Sequence, residues 1–497
     1  MATMSKIHWW QQIGKGLKED VTRRFPFYWQ DFKDGLRGKD TFRKVASTTI
    51  FMYFSVLLPA IARGPLNAIF TGGKIGAYQI IMSQIIGGLA WTFLSGQPLV
   101  IISNTMEVAF YNKVIYDLAQ HMNLDFFGLY ACSGLWSSFF LAVYAISNLS
   151  DVMKKLKRSI TDVYTVFVVA AFVRGAVANI EQDLREHTRE ETLFSVLLML
   201  FTMWIALKAS QISKTAFFNG DTRELISSYA LPIAILSISL VSQFVPHDMN
   251  LATFEYDANQ TLGFHTVDFT RLQPMTFLVS AGLGFCLSLV FLLNQSVCMA
   301  LVDCPENNLK KGSAYHWDLL VLALINGTLG IFGLAFLHAI LPQSPLHARG
   351  LADMEASVVV NVRETRIVNL LLHVLIGVSL FFMPYVLPYC PIASLSGLFL
   401  YLAYDALNST QLFQSTKLLI TEKSAIPADL KTVPLYILNS FTLLQIVQLV
   451  ILCFFGFVPW SQVRMFFPLV AFLFFFLRLK ILPQIFKQDH LDILDEE

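Results

Sequence analysis

Phe277-Leu278-Val279-Ser280-Ala281-Gly282-Leu283-Gly284-Phe285-Cys286-Leu287-Ser288-Leu289-Val290-Phe291-Leu292-Leu293-Asn294-Gln295-Ser296-Val297-Cys298-Met299-Ala300-Leu301 carries no charged residue. A helix needs about 20 predominantly apolar residues to cross the hydrocarbon layer, and this stretch supplies them. Asn294 and Gln295 are its only strongly polar side chains near the middle. A polar side chain at that depth is costly, so it marks either a site or a bond between helices.

The rest of the chain follows the same pattern. Of its 497 residues, 55% are hydrophobic and only 14% charged, against about 25% charged in soluble domains. Further apolar segments lie near 45–62, 76–95, 97–116, 126–147, 160–179, 192–207 and 228–246. A second series runs near 273–302, 316–338, 344–360, 366–387, 390–407, 433–458 and 462–483. This predicts an all-α polytopic membrane protein with fourteen segments, seven in each half. An odd number per half forces the second half to be inverted relative to the first. The expected divisions are 1–44, an amphipathic interfacial segment; 45–246, the first repeat; 247–272, a loop; 273–483, the second repeat; and 484–497, an acidic tail. Trp9, Trp10, Tyr28 and Trp29 are placed at headgroup level.

The third segment of each half is the weak one. Segment 97–116 holds Asn104, Glu107, Asn112 and Lys113; segment 344–360 holds His347, Arg349, Asp353 and Glu355. Each reads as a half-helix after extended chain, with Pro98 in one half and Pro342 and Pro345 in the other blocking helix just before it. Interrupted segments at matching places in two halves point to a substrate site.

Basic residues set the orientation. With the N-terminus inside, the inner loops hold Lys154 to Arg158, Lys310-Lys311, Arg363 to Arg366 and Lys417 to Lys431. The outer loops are acidic, at Glu181 to Glu191 and His247 to Asp268, and the second carries the glycosylation sequon Asn259-Gln260-Thr261. The net charge of +1 says nothing about nucleic acid, but no basic cluster large enough for a nucleic-acid surface is present, so none is expected as a partner. Six scattered cysteines show no metal spacing, and no nucleotide loop, zinc pattern or nucleophile elbow is present. Neither an enzyme nor a cofactor or metal is expected. No cleavable signal or persuasive mitochondrial presequence is seen. The plasma membrane is the expected location, with an internal membrane, including the mitochondrial inner membrane, as the alternative.

Asn308-Leu309-Lys310-Lys311-Gly312-Ser313-Ala314-Tyr315-His316-Trp317-Asp318 resembles a segment of the borate and bicarbonate transporter (anion exchanger) family. So do Pro26 to Gly35, Phe51-Met52-Tyr53-Phe54 with Leu58 to Ile61, Gly96-Gln97-Pro98-Leu99, Val362 to Arg366 and Leu398 to Tyr401. The resemblance spans about residues 20–484. No large cytoplasmic domain precedes the membrane part, which, with Leu341 to His347, points to the borate branch. The resemblance implies a core domain of segments 1–4 and 8–11 and a gate domain of segments 5–7 and 12–14. It also implies half-helices at segments 3 and 10 and a homodimer formed through the gate. Substrate would sit between the two opposed half-helix N-termini, whose free N–H groups suit an anion.

The resemblance places the substrate-binding residues at Gln97, Ser103, Asn104, Thr105, Glu107, Asn294, Gln295, Gln343, Ser344 and His347. Asn294 stands where the family is normally acidic, either as a neutral hydrogen-bonding site or as an interhelical bond. Gln295 replaces a histidine common in the borate branch and reads as structural. The family usually opens the third segment with a Gly-Pro step; this chain has Thr105-Met106-Glu107. Glu107 would repel an anion unless protonated or paired. It either restores the missing acid or forms a salt bridge to a core cation such as Lys113. The bicarbonate branch has an arginine at Gln343, which argues against bicarbonate here. His347 reads as a core hydrogen-bonding residue that could also titrate, and Arg63, just after the first helix, as an interfacial anchor or else an outer-vestibule cation. Two functions stay open: a transporter of borate, boric acid or a related small anion, and a transport-inactive member serving as a structural subunit of a larger membrane complex.

Overall fold

The computed structural model describes residues 13–149, 158–245, 249, 251–253, 265–355, 358–419 and 433–494. Outside these lie Trp9, Trp10, most of the Lys154 to Arg158 loop, the 259–261 sequon, most of the 417–431 loop and the last residues of the acidic tail.

Each of the fourteen apolar segments contains a helix. In chain order the elements are α1 (Lys15–Arg24), α2 (Tyr28–Lys33), α3 (Lys39–Phe70), α4 (Ala77–Leu94), β1 (Ile102–Ser103), α5 (Met106–His121), α6 (Phe126–Ile146), α7 (Arg158–Glu186) and α8 (Arg189–Gln211). Then come α9 (Gly220–Ser228), α10 (Ala230–Ser242), α11 (Pro274–Val302), α12 (Tyr315–Ile331), β2 (His338–Ala339), α13 (Gln343–Gly350), β3 (Ala352–Glu355), β4 (Val358–Val362) and α14 (Ile367–Val386). The chain closes with α15 (Ile392–Ser409), α16 (Gln411–Leu418), α17 (Leu435–Phe457), α18 (Ser461–Arg464), α19 (Phe467–Phe476), α20 (Leu482–Ile485) and α21 (Gln488–Leu494). Among the described residues, nine helices are long and apolar enough to cross a membrane on their own.

Helix ends follow local chemistry. The Asp125 carboxylate accepts from Gly128 N at 2.6 Å to start α6, and Thr188 with Glu191 forms a capping box on α8. α6 packs on α11 and α12, and α7 and α8 pack on α15. At Gly284 of α11 an added Cβ would collide with the backbone at Ser133 and Ser137 of α6, so the two helices meet backbone to backbone.

Three expectations need correction. The fold is not purely helical: β1 pairs antiparallel with β2, and β3 with β4. Within the tenth segment α13 ends at Gly350, and Ala352–Glu355 and Val358–Val362 pair as β3 and β4, where the β-branched run Val358-Val359-Val360 favours extended chain. The first helix does not stop at 62. It continues through Pro65 to Phe70, which places Arg63 inside it at 5% exposure rather than at an interface.

A buried ion network ties α1 and α2 to the loops before α12 and α14. Asp31 accepts from Lys311 at 2.8 Å and pairs with Arg366 at 3.2 Å and Arg24 at 3.4 Å. Glu364 takes Arg24 at 2.8 Å. Lys311, expected as a loop cation, is therefore buried and paired. Such a network fixes geometry more than it adds net stability.

Candidate functional site

The site is built where the two extended leads cross. In the β1–β2 ladder Ile102 faces Ala339 and Ser103 faces His338. Because the pair is antiparallel, the chain leaves it in opposite directions, into α5 on one side and α13 on the other. Proline shapes both leads: Pro98 precedes β1, and Pro342 is the N-cap of α13.

One helix, α12, holds both leads. The Asp318 carboxylate accepts from Gly96 N at 2.5 Å and Gln97 N at 3.1 Å. Two turns on, the Asn326 amide accepts from Leu337 N at 2.8 Å and donates to Leu337 O at 2.7 Å. α4 joins them, with Gln84 Nε2 donating to Ile102 O at 2.7 Å and Trp91 Nε1 to Val100 O at 2.9 Å.

Arg63 Nη2 donates to Ser103 Oγ at 3.3 Å. Thr105 Oγ1 lies 2.8 Å from His338 Nε2, and His338 Nδ1 lies 2.8 Å from Ala339 O. A carbonyl only accepts, so His338 Nδ1 carries the proton and Thr105 is the donor to neutral Nε2. Asn104 Nδ2 donates to Phe336 O at 3.1 Å. Glu107 does not pair with Lys113, which is bonded to Asp117 at 3.4 Å. Its charge partner is Arg63, and its carboxylate turns back toward Thr105 and its own backbone N–H.

On α13, Ser344 Oγ accepts from Ile101 N at 3.1 Å, His347 Nδ1 donates to Leu99 O at 2.8 Å, and Gln343 Nε2 donates to Ser55 O at 3.2 Å. On α11, Asn294 Nδ2 donates to Tyr164 Oη at 2.8 Å and to Val290 O at 3.0 Å, so the interhelical reading of Asn294 describes the bonds it makes. An apolar cleft lined by Ile160, Tyr164, Leu293, Val297 and Leu452 opens beside this bond. Gln295 is 2% exposed, and neither its Nε2 nor its Oε1 has a partner.

The structure thus gathers Ser103, Asn104, Thr105, Glu107, Ser344 and His347 around the ladder. Gln295 shares the α11 face of Phe291 and Cys298, whose neighbours are His338 and Ser344. Gln97 stands apart: its side chain donates to Asp303 Oδ1 at 2.6 Å, just past the end of α11. Burial pushes the Asp303 carboxyl up to about 7, against the hydrogen bond from Gln97 that lowers it. Tyr164 and His338 escaped the sequence reading, and Arg63 was read there without its partners Ser103 and Glu107. Only Arg63 left a signal, as a charged residue in an apolar helix that proline failed to end.

A model of the HCO3- transporter integral membrane domain matches residues 12–189 and 179–497. The chain belongs to this family. Solute carrier family 4 member 11 of Homo sapiens is 38% identical over 548 residues, covering 98% of this chain and 62% of the relative. Band 3 anion transport protein of Mus musculus is 26% identical over 519 residues, covering 97% of this chain and 55% of the relative. The chain therefore spans little more than half the length of these family members. Among solved structures, the murine Solute Carrier 26 family member A9 anion transporter in its inward-facing state superposes with a TM-score of 0.62 at 10% identity, over 96% of this chain and 73% of the other. The transmembrane domain of the cyanobacterium bicarbonate transporter BicA gives 0.57 at 13% identity, over 82% and 96%. At those identities the likeness establishes the fold alone. Family membership and fold make this an integral, multi-pass membrane protein.

Proposed function

We propose that the chain is the membrane body of a secondary transporter that moves boric acid, borate or a related small inorganic anion by alternating access. The observation that carries this is the β1–β2 ladder, which brings polar side chains from both halves of the chain to one junction at the starts of two helices. Relatives named as anion transport proteins support it. In this reading the fourteen segments form two inverted repeats of seven. Helices α3–α6 and α11–α14 are the core, and the remaining spans are the gate, through which a homodimer forms in the plasma membrane. Substrate contacts come from Ser103, Asn104, Thr105, Glu107, Gln295, Gln343, Ser344 and His347. Asn294 acts as a neutral tie between core and gate through Tyr164.

Boron flux into proteoliposomes holding the purified chain, beside an Asn294→Asp variant, tests this. Flux above empty liposomes in the unmodified chain is the expected result. Silence in both, with folded protein demonstrated, favours the second reading, a structural subunit without transport. That reading draws support from Met106, which fills the space against Gly175 of α7 and closes core upon gate.

A further inference from the structure

A second cleft lies among α7, α8 and α15 and shares no residue with the ladder. Asn179 and Asp183 are four residues apart on α7, so they share one face of it. With Ser195 and Met199 of α8 and Ile392 and Ser396 of α15 they line this cleft. α15 packs against both other helices. Asp183 stands about one turn before α7 ends at Glu186.

The donors around this cleft are already committed. Asn179 Nδ2 donates to Ser396 Oγ at 2.8 Å, and Ser396 Oγ donates to Ile392 O at 3.2 Å. Ser195 donates to the Asp183 carboxylate, which only accepts when ionised. Acceptors are left over. Asn179 Oδ1 is buried and has no partner. Among the described residues Asp183 pairs with no lysine or arginine; its titratable neighbours are Glu186 and His187. Asn179 is 6% exposed, Ser195 7% and Ser396 1%, and Asp183 is half-buried. A buried acceptor without a donor is costly, and so is a carboxylate drawn out of water without a counter-charge. Water would satisfy the amide oxygen and leave the charge unbalanced. A cation answers both.

We propose that this cleft binds a monovalent alkali cation, held by the Asp183 carboxylate, Asn179 Oδ1 and Ser195 Oγ. All three are hard oxygen ligands, the kind such ions take. One carboxylate balances one positive charge. Calcium sites draw on more carboxylates than that, and the described residues hold no group of three or more histidine, cysteine, aspartate or glutamate side chains suited to a metal ion. The ion joins α7 to α8 directly, since Asn179 and Asp183 come from one helix and Ser195 from the other. It reaches α15 through the bond from Asn179 to Ser396. Its role is to fix these three helices against one another.

The test is thermal unfolding of the full chain in detergent, titrated with the chloride of sodium, potassium or N-methyl-D-glucamine at one ionic strength. The expected result is a saturable rise in melting temperature of about 2 °C in sodium or potassium over N-methyl-D-glucamine. Asp183→Asn keeps the shape and an acceptor for Ser195, and should raise the half-saturating concentration about tenfold or more. Ser195→Ala removes one neutral ligand and should raise it about threefold, which carries the test if Asp183→Asn does not fold. Identical melting in all three salts, as a cleft holding only water would give, overturns the inference. So does an alkali effect that both variants leave untouched, because the ion then sits elsewhere. Boron flux is read separately: failure here leaves the transport reading standing, and failure there leaves this site standing.

Discussion

α5 and α13 start a few residues beyond one shared ladder, yet α5 runs for 16 residues and α13 for 8 before giving way to a hairpin. Their leads differ as much. The α5 lead hangs on a carboxylate, Asp318, which accepts from two backbone N–H groups. The α13 lead hangs on a neutral amide, Asn326, two turns further along the same helix. Charge-assisted bonds are about twice as strong as neutral ones. Asp318 lies at the first turn of α12, with Arg24 and Arg366 near it; Asn326 bonds the Leu322 carbonyl and the backbone pair of Leu337. The difference teaches where this fold tolerates a fixed charge and where it makes do with an amide.

The comparison breaks most readily at Asp318. Asp318→Ala orphans two buried N–H groups and should cost about 3–5 kcal/mol, read as a fall in melting temperature in detergent. Asn326→Ala should cost less, about 2–3 kcal/mol; an equal or larger loss would undo the ranking. The exchange variants sharpen it. Asp318→Asn keeps one acceptor and should be milder than Asn326→Asp, which cannot donate to Leu337 O and introduces a charge with no cation beside it.

Asp303 supplies a pH handle on the α5 lead. Its folded pKa lies near 7, above the ordinary 3.8, because burial disfavours the carboxylate. Folding therefore favours the protonated form. Its stabilisation is complete below about pH 4 and is lost as pH rises through about 7. Melting temperature measured from pH 5 to 8 should fall more steeply in the natural chain than in Asp303→Asn. At the bottom of the scale, Asp353 on the hairpin pairs with Lys44 at 2.6 Å and Arg363 at 2.7 Å while half exposed. Asp353→Asn should cost under about 1 kcal/mol, since exposed pairs contribute little.

The helices were legible because each carries its own apolar run, and the two leads because Pro98 and Pro342 cannot continue a helix. Two errors came from local signals of the wrong weight. Arg63-Gly64-Pro65 reads as a helix end, but α3 absorbs the proline, since neighbouring helices shelter the backbone it disrupts. Val358-Val359-Val360 reads as apolar helix, although three β-branched residues in a row already favour a strand. The site was half legible. Glu107 and Gln343 showed themselves as polar residues in apolar segments. The pairings of Glu107 with Arg63, Asn294 with Tyr164 and Thr105 with His338 did not, because they join distant parts of the chain and a single sequence carries no record of them.

The ladder also constrains what lengths of chain this architecture can accept. Ser103 and His338 face each other only while both leads keep their present residue count. Adding or deleting one residue between Gly96 and β1, or adding one between Leu337 and β2, would turn the side chains of that strand to the opposite face. Arg63 would lose Ser103, and Thr105 would lose His338. Loops elsewhere can lengthen at little cost. These two short leads cannot, and a domain inserted into either should abolish folding where the same insertion beside the 259–261 sequon is tolerated.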